Sequence, residues 1–321
     1  HTIGRRQRQM CIRDRFLGFS AGLPLLLIFS TLSIWLSEAG VERSAVTYFS
    51  WAALGYSFKF VWAPLVDKLP LPLLEQFLGK RRSWLLLSQL MVISAMLWMA
   101  MSDPASTEGL RYMAYAAVFL GFSSATQDIV IDAYRIEAVE ETLQALMSAS
   151  YVAGYRIGMI VAGAGALYLA AGLGTTKEVY SYSSWQLTYV AMAGTMLVGV
   201  VTTLMIKEPH SHGESSFLKS TADYVRFLLL FTCFVSALIF AYVWLADGIA
   251  DIRSGLDGLG LGASLASFSA EATRLLAAVG LAGAAGWVLV MLNIAEQRAL
   301  QETYVDPVSY THLRAHETRF Y

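Results

Sequence analysis

The sequence predicts an all-α protein that crosses a membrane several times, and composition is the first observation behind this fold class. Hydrophobic residues make up 56% of the 321 residues, charged residues make up 15%, and the mean hydropathy is +0.52. A soluble domain contains about 45–50% apolar residues even with glycine counted, and about 25% charged residues. A soluble helical protein would also need a charged outer face on most of its helices, and this sequence lacks one. We therefore predict a polytopic membrane protein.

The second observation is the length of the apolar runs. A membrane-spanning helix needs about 20 mostly apolar residues. Eight stretches meet this requirement, and most of them are separated by short polar segments such as SEAGVER. The predicted spans cover residues 16–37, 44–66, 83–102, 111–134, 145–171, 185–206, 225–246 and 275–295.

The two ends of the chain differ in composition from its body. Residues 1–15 and 308–321 resemble translated sequencing-adapter sequence, so we expect both to be non-native tails. The alternative for the first of them is a genuine basic arm. Between the tails we expect a six-helix bundle at 16–206, a cytoplasmic linker at 207–224, and a two-helix insertion with a Gly-rich loop at 225–307.

Several function classes find no support in the sequence. The net charge of −1 gives no electrostatic reason to expect a nucleic-acid partner, and Cys11 and Cys233 imply no disulfide framework. The sequence contains no P-loop, no HExxH motif and no nucleophile elbow. We therefore expect no enzyme, no metal site and no cofactor, and a lipid bilayer as the surroundings.

The basic residues predict the orientation of the spans, because cytoplasmic loops of membrane proteins are enriched in lysine and arginine. One side of the membrane holds nine such residues outside the amino-terminal tail, and the other side holds five. We therefore expect the native amino terminus to be cytoplasmic. The nine are Lys68, Lys80, Arg81, Arg82, Arg135, Lys207, Lys219, Arg226 and Arg298, and the five are Arg43, Arg111, Lys177, Arg253 and Arg274.

Two sequence matches at similar offsets predict an internal repeat. FLGFS occurs at Phe16–Ser20 and again, 103 residues later, at Phe119–Ser123. GYSFK at Gly55–Lys59 corresponds to GYRIG at Gly154–Gly158, 99 residues later. Three spans lie within this offset, so the second copy must enter the membrane from the opposite face. Such 3+3 inverted repeats place the binding sites of secondary transporters near the middle of the membrane.

Ionisable residues inside the spans are the candidates for function, because each costs at least about 2.5–3.5 kcal/mol in a bilayer. In the fourth span, Asp128, Asp132 and Arg135 are spaced i, i+4 and i+7, so they share one helix face. Two carboxylates one turn apart cannot both ionise cheaply, and one is expected to carry a proton. Lys59 and Arg156 could then hold an anionic substrate. The alternative is an ion-pair network that only holds the helices together.

A second constellation lies between the second and third spans. WAPLVDK ends at Lys68, and GKRR follows at 79–82. We expect Asp67 to form ion pairs with Arg81 and Arg82, and these pairs could close a cytoplasmic gate. The alternative is a basic loop that only sets the orientation of the protein.

The tryptophans fall mostly near the ends of spans, as Trp35 and Trp185 do. Tryptophan is enriched at the boundary between lipid and water. We therefore predict interfacial positions for these residues and assign no site to them.

The motifs FLGFSAGLPLLL, GYSFKFVWAPLVDK, GKRRSW and QDIVIDAYRIE resemble those of the AmpG family of muropeptide permeases, within the major facilitator superfamily. The resemblance covers roughly residues 16–307. Ala63 stands where the superfamily's loop motif commonly has glycine, and the insertion before Gly79 is longer than usual. The resemblance implies a major-facilitator-type amino-terminal bundle with two additional transmembrane helices.

The resemblance also implies a function. Members import GlcNAc-anhydroMurNAc peptides across the bacterial inner membrane for peptidoglycan recycling, driven by the proton gradient without a cofactor, and this recycling is linked to beta-lactamase induction. A second six-helix bundle of the same polypeptide would complete the carrier, so the chain is expected to be an incomplete fragment.

Carried onto this sequence, the family motifs imply a role for each candidate residue. The substrate-binding residues would be Gly22, Lys59, Gln127, Tyr155 and Arg156, the proton-coupling residues Asp128 and Asp132, and the gating residues Asp67, Arg81, Arg82 and Arg135.

Two alternatives to this function stay open. Acetyl-CoA transporters resemble the family around the QD…D segment, and the phosphates of CoA would also bind Lys59 and Arg156. A non-transport membrane scaffold is the other alternative, although the sequence gives it no catalytic or metal-binding feature.

Overall fold

The protein is helical throughout the part described by a computed structural model, and this agrees with the predicted all-α class. The chain divides into two compact units, His1–Gly213 and Glu214–Tyr321. The structure describes residues 4–42, 49, 54–71, 73–138, 141–209, 221–246, 248 and 263–292.

The helices of the first unit follow the predicted spans, which we number 1 to 6. Several spans consist of more than one helical segment, because a turn of π-helix or a non-helical residue interrupts them. Span 1 comprises Arg5–Leu26, the π-helical Leu27–Thr31 and Leu32–Glu38; span 2 comprises Leu54–Ser57 and Lys59–Lys68; span 3 is Lys80–Ala100, preceded by the short helix Glu75–Leu78; span 4 is Thr107–Ala138; span 5 comprises Glu141–Ile160, the π-helical Val161–Gly165 and Ala166–Gly172; and span 6 comprises Tyr182–Thr195 and Leu197–Met205.

Seven helices in the described residues are long and apolar enough to cross a membrane. They correspond to spans 1 and 3 to 6 and to the two helices of the second unit. Span 2 is not among them, because residues 44–48 and 50–53 of its predicted range lie outside the described residues and its described helices, Leu54–Ser57 and Lys59–Lys68, are short. The predicted tail at 308–321, much of the linker and much of the Gly-rich loop also lie outside them.

The packing of the six spans has the symmetry of an inverted repeat. Span 1 packs on spans 5 and 6, span 4 packs on spans 2 and 3, and span 3 packs on span 6. Exchanging spans 1, 2 and 3 with spans 4, 5 and 6 converts these five contacts into one another, and the further contact between spans 1 and 4 into itself. The three-helix repeat predicted from the FLGFS and Gly-Tyr matches therefore agrees with the packing.

Spans 1 and 5 pack backbone to backbone. Gly18 on span 1 faces the carbonyl oxygen of Tyr151, and one turn later Gly22 faces that of Tyr155. Gly158 on span 5 faces the backbone of span 1 in return. A side chain at any of these glycines would overlap the opposing backbone. Small residues four apart allow the same close approach in other membrane helix pairs.

A cluster of aromatic residues lies inside the first unit, near the end of span 1. Trp35 and Trp185 are both 0% exposed, and their rings stack with centroids 5.5 Å apart. The ring of Tyr189 lies 4.8 Å from that of Trp35. The interfacial position predicted for these two tryptophans is therefore wrong. A buried indole needs a partner for its N–H, and Trp185 finds one in the Glu38 carboxylate at 2.8 Å.

The second unit contains the helices Thr221–Trp244 and Ala263–Met291, which we call spans 7 and 8. Arg274 Nε donates to the Tyr242 carbonyl at 2.7 Å, and its guanidinium lies 3.8 Å from the Tyr242 ring centroid. Glu271 accepts a hydrogen bond from the Tyr242 hydroxyl at 3.0 Å. These three side chains join the end of span 7 to span 8.

Candidate functional site

The charged face predicted for span 4 is present. A single helix carries Asp128, Asp132 and Arg135, and Arg135 Nη1 lies 3.6 Å from Asp132 Oδ1. Lys59 Nζ of span 2 lies 4.0 Å from Asp132 Oδ2. A chain of three alternating charges therefore runs from span 2 to span 4, and the side chains of Lys59 and Asp132 are 41% and 54% exposed.

Asp128 occupies a more enclosed position one turn earlier. Its Oδ1 is buried and accepts no hydrogen bond within the described part of the chain. Lys59 is the nearby basic group that acts electrostatically on this carboxyl group. Tyr56 lies next to it and donates a hydrogen bond to Ser124 Oγ at 2.7 Å, which joins span 2 to span 4 at this level.

Arg135 connects span 4 to its neighbours. Its Nη2 donates to Ser148 Oγ at 2.7 Å, and its guanidinium lies 4.5 Å from the centroid of the Tyr151 ring, both on span 5. Its Nε lies 3.4 Å from Asp14 Oδ1 on span 1. Asp14 belongs to the predicted non-native tail, so Asp132, Ser148 and Tyr151 are the partners that lie in the predicted body of the protein.

Arg156 does not face the carboxylates as expected. The side chain is exposed, and its one hydrogen bond among the described residues goes to Met159 Sδ at 3.9 Å on its own helix. Helical pitch explains the difference, because Arg156 lies two residues, or about 200°, from Gly154. The Gly154 and Gly158 face of span 5 lies against span 1, so Arg156 points away from it.

Three other predicted substrate-binding residues lie in or against one stretch of span 1. Gln127 is fully buried, and its Nε2 donates to Ser20 Oγ on span 1 at 3.2 Å. Gly22 is closed off by the Tyr155 carbonyl, and the half-buried Tyr155 ring lies 6.1 Å from that of Tyr151. Gly22 and Gln127 thus serve helix packing in this conformation, and their role in substrate binding stays a prediction.

A second group of charges, the Arg81 cluster, consists of Asp67, Arg81 and Glu137. Arg81 Nη2 donates to Asp67 Oδ1 at 2.6 Å, and Nε donates to both carboxylate oxygens of Glu137 at 3.0 Å. The Arg81 side chain is only 9% exposed. The predicted pair of Asp67 and Arg81 is therefore present, and Glu137 is a further partner that the sequence analysis missed. The position of Glu137 at the end of span 4 was the signal in the sequence that could have identified it as a partner of Arg81.

Glu208 caps the start of span 3, and Arg82 caps the end of span 6, at the same end of the bundle as the Arg81 cluster. Glu208 accepts hydrogen bonds from the backbone N–H of Arg81 at 2.7 Å and of Arg82 at 3.1 Å. These donors have no partner within their own helix. In return, the Arg82 side chain donates to the carbonyls of Thr203 at 3.1 Å and Leu204 at 2.8 Å. Arg82, predicted to act in gating, thus holds the end of span 6.

Together these features define a class of protein. Inverted helix triplets with charges held between membrane-embedded helices are the architecture of secondary transporters. Residues 15–299 match the family model of the Major Facilitator Superfamily, and the chain belongs to this superfamily of transporters. It is a multi-pass membrane protein.

Curated relatives agree with this membership. A protein of Rickettsia felis provisionally named transporter AmpG 4 is 40% identical over 209 residues, which are 65% of this chain and 48% of that protein. The anhydromuropeptide permease of Escherichia coli K12 is 36% identical over 193 residues, which are 60% of this chain and 36% of the permease. The predicted resemblance to AmpG transporters is thus confirmed. The chain spans less than half the length of these two relatives.

Proposed function

We propose that the protein imports anhydro-muropeptides across the bacterial inner membrane for peptidoglycan recycling. The similarity to an anhydromuropeptide permease and to proteins named as AmpG transporters supports this substrate class. In this proposal the proton gradient supplies the energy, no cofactor takes part, and the native amino terminus is cytoplasmic.

The observation that carries the proposal is the charge chain of Lys59, Asp132 and Arg135. An ion pair as exposed as that of Lys59 and Asp132 stabilises a fold by no more than about 1 kcal/mol. Ionisable residues within membrane-spanning segments mark substrate or ion pathways by default. The pair therefore contributes little to the stability of the fold, which favours a role in binding or transport over a purely structural one.

Asp128 is the proposed proton carrier. Its Oδ1 is buried without a hydrogen-bond donor among the described residues, and a buried acceptor without a donor costs free energy. A carboxyl group in this position can take up a proton when the site is enclosed and release it when water or Lys59 reaches it. Asp132, which already contacts Lys59 and Arg135, would assist by shifting its ion pairs.

A second six-helix bundle is the proposed partner of the first unit. The chain covers 36% to 48% of the length of the relatives described above, so those proteins have additional residues that could form it. Exposed charges such as Lys59, Asp132 and Arg156 would then line a cleft between the two bundles.

Uptake of labelled anhydro-muropeptide into proteoliposomes by the completed carrier tests the proton role. We expect Asp128→Asn to abolish the dependence of uptake on an imposed pH gradient. Glu108→Gln is the matched control, because Glu108 is an exposed carboxylate near the start of the same helix. Uptake by Asp128→Asn that still follows the gradient would remove Asp128 from the mechanism.

Binding to the 321-residue chain in nanodiscs tests the substrate role. Loss of one charge-assisted hydrogen bond costs about 1.5–3 kcal/mol, so we expect Lys59→Met to weaken muropeptide binding at least tenfold. Lys177→Met, an exposed lysine between spans 5 and 6, should leave binding unchanged. If CoA esters bind and displace muropeptide, the acetyl-CoA or other organic-anion class replaces it as the substrate.

A further inference from the structure

Spans 1 and 5 each contain one turn of π-helix, at Leu27–Thr31 and at Val161–Gly165, and the two turns pack against each other. In a π-turn the hydrogen bonds run from i to i+5, so the local backbone carbonyls lose their usual α-helical partners. Membrane and soluble helices bend at such turns. Two facing π-turns are therefore a point at which both helices can change direction together.

Two buried hydroxyl groups bind the carbonyls of these turns. Thr31 Oγ1 of span 1 donates to the carbonyl of Ala162 on span 5 at 2.8 Å. The Tyr189 hydroxyl of span 6 donates to the carbonyl of Leu27 at 2.9 Å. Both side chains are 0% exposed. Each π-turn thus receives one hydrogen bond from a neighbouring span, where water has no access to replace it.

The segments on either side of the π-turns are held by different neighbours. Before the π-turns, span 1 contacts span 5 closely through Gly18 and Gly22, and it contacts the Leu197–Met205 segment of span 6, where Gly199 faces Ser20. After its π-turn, span 1 is held by the Tyr182–Thr195 segment of span 6 and by the loop before it. There Trp35 stacks on Trp185, and Glu38 accepts hydrogen bonds from Trp185 Nε1 and Thr175 Oγ1, both at 2.8 Å.

We propose that the two π-turns form a paired hinge, and that Thr31 and Tyr189 are the positioning residues that keep it in the conformation seen here. The parts of spans 1 and 5 that precede the π-turns move as one body, because their backbones are in direct contact. The segment Leu32–Glu38 that follows the π-turn stays with the Tyr182–Thr195 segment of span 6. Bending at the hinge would therefore open or close the bundle on the side of the site opposite the Arg81 cluster.

The hinge lies close in sequence to the candidate site. Gly22, which faces Tyr155, and Ser20, which accepts a hydrogen bond from Gln127, precede the π-turn of span 1 by less than three helical turns. A bend at Leu27–Thr31 would therefore change access to this region without breaking the contacts within it. The purpose of the hinge rests on the proposed function, but its existence can be tested without transport.

Hydrogen–deuterium exchange of the 321-residue chain in nanodiscs provides the test. Thr31→Val and Tyr189→Phe each remove one hydroxyl and keep the shape of the side chain. Thr188→Val is the matched control, because Thr188 is buried next to Tyr189 in sequence, and among the described residues its hydroxyl donates to the Ser184 carbonyl of its own helix at 2.8 Å. Thr31→Ser, which restores a hydroxyl, should exchange like the unmodified protein.

We expect amide exchange within and just after both π-turns to rise about tenfold in Thr31→Val and Tyr189→Phe, as the loss of one buried hydrogen bond predicts. Exchange at the glycine contacts of spans 1 and 5 should stay the same. Unchanged exchange at the π-turns would overturn the proposal. An equal rise at the glycine contacts, or in Thr188→Val, would also overturn it, because the effect would then be general destabilisation. A failure of the transport assays would leave this result unaffected.

Discussion

The glycine contacts between spans 1 and 5 predict a definite cost for Gly22→Ala. A Cβ atom at Gly22 would lie 3.0 Å from the carbonyl carbon of Tyr155 and 3.1 Å from its Cα, and it would overlap the carbonyl oxygen. Carbon atoms pack best at about 3.5–4.0 Å. The overlap with the carbonyl oxygen is larger than either carbon contact, so the two backbones must move apart by about 1 Å, since neither can rotate away as a side chain would.

The size of the effect follows from this displacement. A gap of about 1 Å forfeits up to about half of the dispersion energy of the atoms involved. Overpacking in well-packed interiors costs about 1–3 kcal/mol. Alanine returns up to about 1 kcal/mol through its better helix propensity. We therefore expect the free energy of unfolding to fall by about 1–2 kcal/mol.

Reversible unfolding in mixed micelles, with Gly194→Ala as the control, measures this effect. Gly194 is also a helical glycine, but an added Cβ would meet nothing within 4 Å. Its replacement should be neutral or stabilise the protein by up to about 1 kcal/mol. Equal effects of the two substitutions would refute the packing argument. Weaker substrate binding by Gly22→Ala without loss of stability would instead favour the substrate role predicted for Gly22.

Three further predictions concern the charged and polar contacts. Arg81→Ala leaves Glu137 without its guanidinium partner and Asp67 with Lys68 at 3.9 Å, and it should cost about 2–3 kcal/mol. Arg82→Ala removes bonds to backbone carbonyls and should cost about 1–2 kcal/mol. Equal losses on thermal unfolding would contradict this ranking. The double variant Lys59→Met and Asp132→Asn should change stability by less than about 1 kcal/mol, and a larger loss in the same measurement would make that pair structural. Burial raises the pKa of Tyr180. The free energy of unfolding should therefore fall as the pH rises above about 10, because only the unfolded chain loses this proton there. A pH titration of unfolding should show a shallower fall for Tyr180→Phe, and identical slopes would contradict the prediction.

The spans and the charged helix face could be predicted because both depend on local sequence. Hydropathy over about 20 residues identifies a membrane helix whatever it packs against. The spacing of Asp128, Asp132 and Arg135 fixes their shared face through helical pitch alone. The inverted repeat could also be predicted, because two pairs of short matching motifs occur at similar offsets in the sequence.

The partners of these residues could not be predicted, because they depend on how distant helices pack. Glu137 is 56 residues from Arg81, and Glu208 is 127 residues from it. Both looked like ordinary acidic residues beside a basic loop. The interfacial position predicted for Trp35 and Trp185 was wrong for a related reason. A tryptophan near the end of a span can find a hydrogen-bond acceptor within the protein or in the lipid headgroups, and only the fold decides between them.

The exchange of caps between Glu208 and Arg82 has a practical consequence for anyone who labels or cleaves this protein. A reporter or a protease site inserted at Lys207 or Glu208 would pull a carboxylate away from the first turn of span 3. Arg81 lies in that turn, so the insertion would also disturb its ion pairs with Asp67 and Glu137. The same tag placed on the carboxyl side of Pro209 leaves both caps in place and is the safer choice for attaching a probe.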